Sequence, residues 1–261
     1  MSWSPNQYLQ YEDARLRPAL DLLARIPLEA PRIVYDIGCG AGNVAQHLAR
    51  RWPNAKIEGV DSDLAMLAKA RDATSGDDRF VWTHADLVTW NASQSADLIY
   101  SNAALHWIDG HATLFPRLMS MLPRGGVLAV QMPDNFTAPS HAALVETARS
   151  DAWRERLGTL VRATPVAPAA QYDASLAPQS SSRDIWTTEY LQRLPSRADG
   201  EHPIVAWMRG SAIVPFAAAL DDSERERFVA DYTARVERLH PRDASGSVLF
   251  PFRRLFIVAT R

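Results

Sequence analysis

The stretch YDIGCGAGN, residues 35 to 43, sets an acid, Asp36, two positions before Gly38 and repeats glycine at Gly40 and Gly42. Glycine tolerates positive φ and leaves no side chain between backbone and ligand, so such a turn can bring main-chain groups against a bound molecule. In the turn that grips a dinucleotide pyrophosphate the third glycine would be residue 43, which is Asn43 here. The spacing therefore argues against a pyrophosphate. Two further acids, Asp61 and Asp86, close the next two apolar runs. An acid in the first of these places also serves nicotinamide enzymes, so Asp61 alone does not discriminate, and the plainer, secondary reading of both acids is as helix caps or turn residues. Cys39 is the single cysteine, which excludes an intramolecular disulfide and leaves too few thiolates for structural zinc; it reads as a small side chain filling the turn. His106 and His111 are five apart and miss the spacing for a shared metal on one helix, so no metal is expected.

The elements that would position these residues follow from hydrophobic period. RIVYDI, KIEGVD, RFVWTHAD, ADLIYSN and GGVLAVQMP read as strands, and NVAQHLARRW, SDLAMLAKAR and DGHATLFPRLMSML as the helices between, the last broken near Pro116. Such alternation, with strands apolar on both faces, means a parallel sheet covered by helices. Ahead of it, residues 4 to 27 give two helical pieces, Ser4 capping the first and Pro18 restarting the second. After Gln131 the rhythm is lost: a helical stretch at 140–157, a long Pro/Ala/Ser-rich loop at 164–182, a strand at DIWTTEYLQRL, two more helical patterns, and a closing strand RRLFIVATR.

At 261 residues and 47% hydrophobic the chain can bury a sizeable core. No run approaches the roughly 18 apolar residues of a membrane span, and the N-terminus lacks the pattern of a signal peptide, so a cytoplasmic protein is expected. A formal charge of -2 gives no basic field for nucleic acid or anionic lipid. Of the 28 basic residues 26 are arginine, which reads first as codon bias and second as carboxylate or phosphate recognition.

The pattern DxGxGxG resembles motif I of the class I S-adenosylmethionine-dependent methyltransferases. That resemblance implies a Rossmann-like α/β fold with a mostly parallel seven-stranded sheet, helices on both faces and a helical cap insertion. It implies S-adenosyl-L-methionine as cofactor, with Asp36 ordering the turn near the methionine ammonium. Asp61, followed by Ser62, matches the family's acid for the ribose hydroxyls, and Asp86 the acid for the adenine amine, with Leu87 packing beside the ring. Met66, Asn102 and Ala103 fall where the family lines the adenosine and methyl-donor ends, and Tyr8, Tyr11 and Trp3 could form an aromatic lid. Implied spans are an N-terminal helical lid at 1–30, a cofactor-binding core at 31–133, a cap insertion at 134–182, and a C-terminal part at 183–261 that completes the sheet and carries helical cap segments.

A closer likeness covers nearly the whole chain. WSPNQYLQYEDARLRPALDLLARIP, YDIGCGAGN, VLAVQMPDN, DIWTTEY and RRLFIVA resemble the trans-aconitate 2-methyltransferase family. It implies methyl transfer to a carboxylate of a small polycarboxylic acid, giving a methyl ester and S-adenosylhomocysteine. An aliphatic carboxylate is ionised at neutral pH and needs no general base. Alignment and charge pairing are the demands, so arginines are the substrate candidates: Arg254 first, then Arg183 and Arg209, then Arg15 and Arg17. His106 and Gln131 are candidates for positioning the carboxylate. The chain departs from the family pattern TGLRP with SAIVP, so Val214 replaces an arginine, and Arg253 replaces a proline, which leaves the acceptor acid less secure than the reaction. Rival readings are a malonyl-acyl-carrier-protein O-methyltransferase and a non-catalytic S-adenosylmethionine-binding regulator. Amine methylation of nucleic acid is disfavoured, because residues 103 to 105 lack the Pro-Pro-aromatic signature. A monomer or small homo-oligomer is expected.

Overall fold

The computed structural model describes residues 12–162, 164 and 166–261, with side chains from residue 16 onward. The Ser4 cap, Trp3, Tyr8, Tyr11 and the side chain of Arg15 lie outside the described residues. Along the chain run α1 (Glu12–Ala24), β1 (Ile33–Ile37), α2 (Asn43–Arg51), β2 (Lys56–Asp61), α3 (Leu64–Ala73), β3 (Phe80–His84) and β4 (Leu98–Asn102). A short 3-10 turn (Leu105–Trp107), α4 (His111–Ser120) and β5 (Val127–Pro133) follow. Next come α5 (Pro139–Ala148), α6 (Arg154–Leu157), α7 (Ala169–Leu176), β6 (Ser182–Leu194), α8 (Pro203–Arg209), α9 (Val214–Ala218), α10 (Asp222–Leu239) and β7 (Val248–Thr260).

The seven strands form one sheet in the order β3-β2-β1-β4-β5-β7-β6. β1 to β5 pair in parallel, and β7 runs antiparallel to β5 with Gln131 opposite Phe256 and Pro133 opposite Arg254. The mostly parallel, seven-stranded architecture expected from the sequence is therefore present. β4 shows why it forms: Leu98, Ile99 and Tyr100 are fully buried, each apolar side chain contributing about 1.5–3 kcal/mol. β3, the edge strand, is less buried, with Val81 and His84 exposed.

Two compact units divide the chain. The larger comprises Leu16–Pro133, Pro165–Thr188 and Arg254–Arg261 and holds the parallel strands. The smaller includes Asp134–Thr164 and Glu189–Arg253, with its own core of Leu144, Trp153, Trp207, Phe228, Tyr232 and Phe250. In it Tyr232 donates to the Ser140 carbonyl at 3.1 Å, and α10 starts from a capping box in which Asp221 and Glu224 satisfy each other's backbone N–H groups. The segment 134–182 is thus divided, its first part in the smaller unit and its end in the larger.

Three local expectations are corrected. Pro18 lies inside a single helix, α1, and Pro116 inside an unbroken α4. Each proline removes one N–H from the ladder, while buried Ala19, Leu22 and Leu23 in one helix and Leu114, Phe115, Leu118 and Met119 in the other hold it across the gap. The stretch read as a loop, 164–182, contains α7, whose Tyr172 and Leu176 are buried. No helix among the described residues is long and apolar enough to cross a membrane.

Candidate active site

The turn after β1 is closed from β2. Gly38 and Cys39 donate their N–H groups to the Val60 carbonyl at 2.7 and 3.1 Å, and Gly40 donates to Asp61 Oδ2 at 2.8 Å. Asp61 Oδ1 accepts from Asp63 N at 2.9 Å, so this acid first fixes the turn and then has lone pairs left for hydroxyl donors. All three glycines of the motif have positive φ. A Cβ at Gly38 would lie 2.1 Å from Ala104 Cβ, and one at Gly42 would lie 2.5 Å from the Trp82 ring. At Gly40 it would make only an ordinary contact, with Met66 Cε at 3.9 Å, so this glycine is not required by packing.

Asp36 is 2% exposed and its Oδ2 has no hydrogen-bond partner among the described residues. Burial, reinforced by the charge of Asp61, pushes its pKa up to about 7. Burial also pushes the Cys39 thiol up, which keeps it inert and agrees with a filling role. At the end of β4, Ser101 Oγ donates to the Ile37 carbonyl at 2.9 Å. Ala103 adopts φ 52°, a sparsely populated conformation for a residue with a Cβ, and donates to the Gln131 carbonyl at 2.9 Å. Asn102 Oδ1 is buried without a hydrogen-bond partner among the described residues.

Several expected cofactor residues gather around this turn. Met66 faces Gly40, and Leu87 Cδ1 lies 3.7 Å from where a Gly38 Cβ would sit. Asp86 is exposed, and its Oδ1 accepts from Val88 N at 2.9 Å in a local turn. Ser62 is exposed too, with His84 Nε2 donating to its carbonyl at 3.1 Å, while Asp63 caps α3.

The positioning candidates are buried. His106 sits in the 3-10 turn with its ring against Trp107, the centroids 4.7 Å apart. That turn is held by His111, whose Nε2 donates to the Leu105 carbonyl at 2.9 Å, while its Nδ1 accepts from Tyr172 Oη at 2.6 Å and Tyr172 in turn accepts from Ala167 N at 3.1 Å. Gln131 is fully buried; its Oε1 accepts from Arg254 Nη1 at 3.3 Å, and its Nε2 has no hydrogen-bond partner among the described residues.

The arginine candidates differ in kind. Arg254 is 3% exposed. Arg183 pairs with Asp173 at 2.6 Å and reaches Ser180, and Arg209 pairs with Glu201 at 2.5 Å, so both spend their charge inside the chain. Arg17 is exposed on α1. Arg253, the residue in the family's proline position, pairs with Asp134 at 3.0 Å, and its N–H donates to Asn135 Oδ1. Sequence reasoning missed the Tyr172–His111 support, whose one signal was a lone tyrosine amid alanines and prolines, and the buried Asn135, which stood in a quoted motif but had been given no role.

These residues fit a cationic nucleoside cofactor on two counts. A Cβ at Gly40 would touch only the end of the flexible Met66 side chain, so a ligand can approach the backbone there, and the buried acceptors Asp36 Oδ2 and Asn102 Oδ1, without partners among the described residues, suit a donor or a positive charge. The sheet order, the acid–glycine turn after β1 and the acid ending β2 together define a class I S-adenosylmethionine-dependent methyltransferase. The "Methyltransferase domain" family matches residues 34–126. Trans-aconitate 2-methyltransferase of Agrobacterium fabrum is 43% identical over 262 residues, covering 100% of both chains. The chain belongs to the trans-aconitate 2-methyltransferase family. Among solved structures, the YcgJ protein of Bacillus subtilis superposes with a TM-score of 0.62 at 13% identity, over 94% of this chain and 98% of that one. Haemonchus contortus phosphoethanolamine N-methyltransferase 2, solved with S-adenosylhomocysteine, gives 0.56 at 16% identity over 94% of this chain and 52% of its own.

Proposed function

We propose that this enzyme transfers the methyl group of S-adenosylmethionine to a carboxylate of trans-aconitate, giving a monomethyl ester and S-adenosylhomocysteine. The observation that carries this reading is the full-length 43% identity to an enzyme of that name. A buried guanidinium, Arg254, agrees with it, because a polyanion leaving water needs cationic compensation and a neutral acceptor does not.

When bound, the sulfonium supplies an electrophilic methyl group. The chain's own work is then to place and to exclude. Asp61 offers its remaining lone pairs to the ribose, and Met66 and Leu87 give apolar contact to the nucleoside. Asp36, ionised on the approach of a positive charge, and Asn102 Oδ1 would hold the amino-acid part. No side chain has to remove a proton, since the acceptor carboxylate is already ionised at neutral pH. Holding its oxygen in line with the methyl is the catalytic task, and such orientation can contribute up to roughly 7–11 kcal/mol. His106, on the turn braced by His111, is the candidate to hydrogen-bond the acceptor. In this reading the protein works on a small molecule in the cytoplasm.

The test is methyl-ester formation from labelled S-adenosylmethionine with trans-aconitate, cis-aconitate, citrate, isocitrate, itaconate and a malonyl-loaded carrier protein. Trans-aconitate is expected to show the highest kcat/KM. A preference for the malonyl carrier, or cofactor binding with no ester from any acid, overturns the proposal.

A further inference from the structure

On β1, β4 and β5, three buried polar atoms have no hydrogen-bond partner among the described residues: Asp36 Oδ2, Asn102 Oδ1 and Gln131 Nε2. Asp36 pairs in register with Tyr100, two residues before Asn102, and Asn102 pairs with Gln131. Side chains two apart on a strand, and those of register partners, share a face of the sheet, so all three project to the same side. Two of the atoms are acceptors and the third is a donor.

Gln131's orientation is not arbitrary. Arg254 Nη1 stands 3.3 Å from the Gln131 amide, and a guanidinium has only donors, so the amide oxygen must face it and the NH2 must face away. Left buried, that NH2 costs the fold its desolvation and demands an acceptor. From this we infer that Gln131 Nε2 is the group that binds the substrate's carboxylate, and that Arg254 is a positioning residue that fixes the amide and lends it positive charge from behind. The inference rests on the proposed carboxylate methylation and deepens it. The polarity of the atoms sorts the two ligands along the sheet: acceptors on β1 and β4 take the cation, and the donor on β5, backed by β7, takes the anion.

The experiment measures, on the full-length enzyme, KM for trans-aconitate, Kd for S-adenosylhomocysteine and thermal unfolding of each variant. Gln131→Leu and Arg254→Met are each expected to raise KM roughly 10- to 100-fold, the range for loss of a hydrogen bond to a charged group, with Kd for S-adenosylhomocysteine unchanged. The double variant is expected to be no worse than either single one, because both remove one interaction. Arg254→Lys, which still donates to Oε1, is expected to return KM to within roughly fivefold of the wild type; a guanidinium gripping the carboxylate in bidentate fashion would not accept that exchange. Gln131→Glu, close to isosteric and so independent of any folding defect in the leucine variant, is expected to raise KM further by turning an anionic oxygen toward the guest. A wild-type enzyme active on trans-aconitate whose KM ignores both Gln131→Leu and Gln131→Glu overturns the inference alone. Additive losses with no rescue by lysine overturn the positioning role of Arg254. A wild type that methylates no carboxylate overturns the underlying reading as well.

Discussion

The strand ends of β1 and β4 and those of β5 and β7 build their parts of the site by opposite means. At the first, the turn lies within nine consecutive residues, 35 to 43, and its partners Val60 and Asp61 lie 21 or 22 positions on. At the second, Gln131 meets Arg254 across 123 positions of chain. The first end is backbone conformation made possible by missing side chains, whereas the second is one side chain oriented by another. The proposed grip on the nucleoside is therefore written locally, and the inferred grip on the acid is written in tertiary structure.

The largest expected effect separates two glycines within the local end. Gly38→Ala forces a Cβ into Ala104 at 2.1 Å and keeps φ at 73°, so it is expected to cost at least about 2–4 kcal/mol of stability in urea unfolding and to abolish cofactor binding. Gly40→Ala meets only Met66 at 3.9 Å; it is expected to leave unfolding within about 1–2 kcal/mol of the wild type yet weaken S-adenosylhomocysteine binding by roughly tenfold or more, read by calorimetry. Equal effects of the two would show that Gly40 serves packing, and the local end would lose its division between fold and ligand.

Asp36 gives the next effect, and its sign follows from burial. Its pKa in the fold, about 7, stands above the ordinary 3.8, so the stability it contributes is complete below 3.8 and is lost as pH rises through about 7. A cation bound beside it favours the ionised form. Affinity for S-adenosylmethionine is therefore expected to rise about tenfold between pH 6 and pH 8. Asp36→Asn is expected to flatten that profile, to bind the cofactor more weakly at pH 8, and to unfold at a higher temperature there without ligand. A profile unchanged in Asp36→Asn would place the titrating group elsewhere.

The smallest effect probes a brace that neither end supplies. Tyr172→Phe removes the hydroxyl between Ala167 N and His111 Nδ1, and is expected to lower stability by about 1 kcal/mol and kcat a few-fold, with cofactor affinity unchanged. If kcat stays at the wild-type value, the 3-10 turn bearing His106 stands without that support.

Legibility followed the same division. The strand and helix alternation from Ile33 to Pro133 was readable because each element declares its period within a few residues, and Gly38, Gly40, Gly42 and Asp61 were readable because one turn needs them, whereas Asp36 was read only from its place in the motif. Pro18 and Pro116 misled because local breaking tendency is weaker than the burial of the faces around them. α7 was hidden in a tract of proline, alanine and serine whose helix is held by two buried side chains, Tyr172 and Leu176. Arg183, Arg209 and Arg254 looked alike as letters; only the fold distinguishes two that face Asp173 and Glu201 from one buried against an amide.

β7 lies between β5 and β6 although it follows both in the chain, so it must be inserted into a sheet whose neighbouring strands come first. Closing so long a stretch is slow next to the short-range pairings of β1, β2 and β4. The topology thus makes β7, which brings Arg254 to Gln131, the last strand of the sheet to leave the ribosome and the one whose pairing with β5 closes the longest stretch of chain.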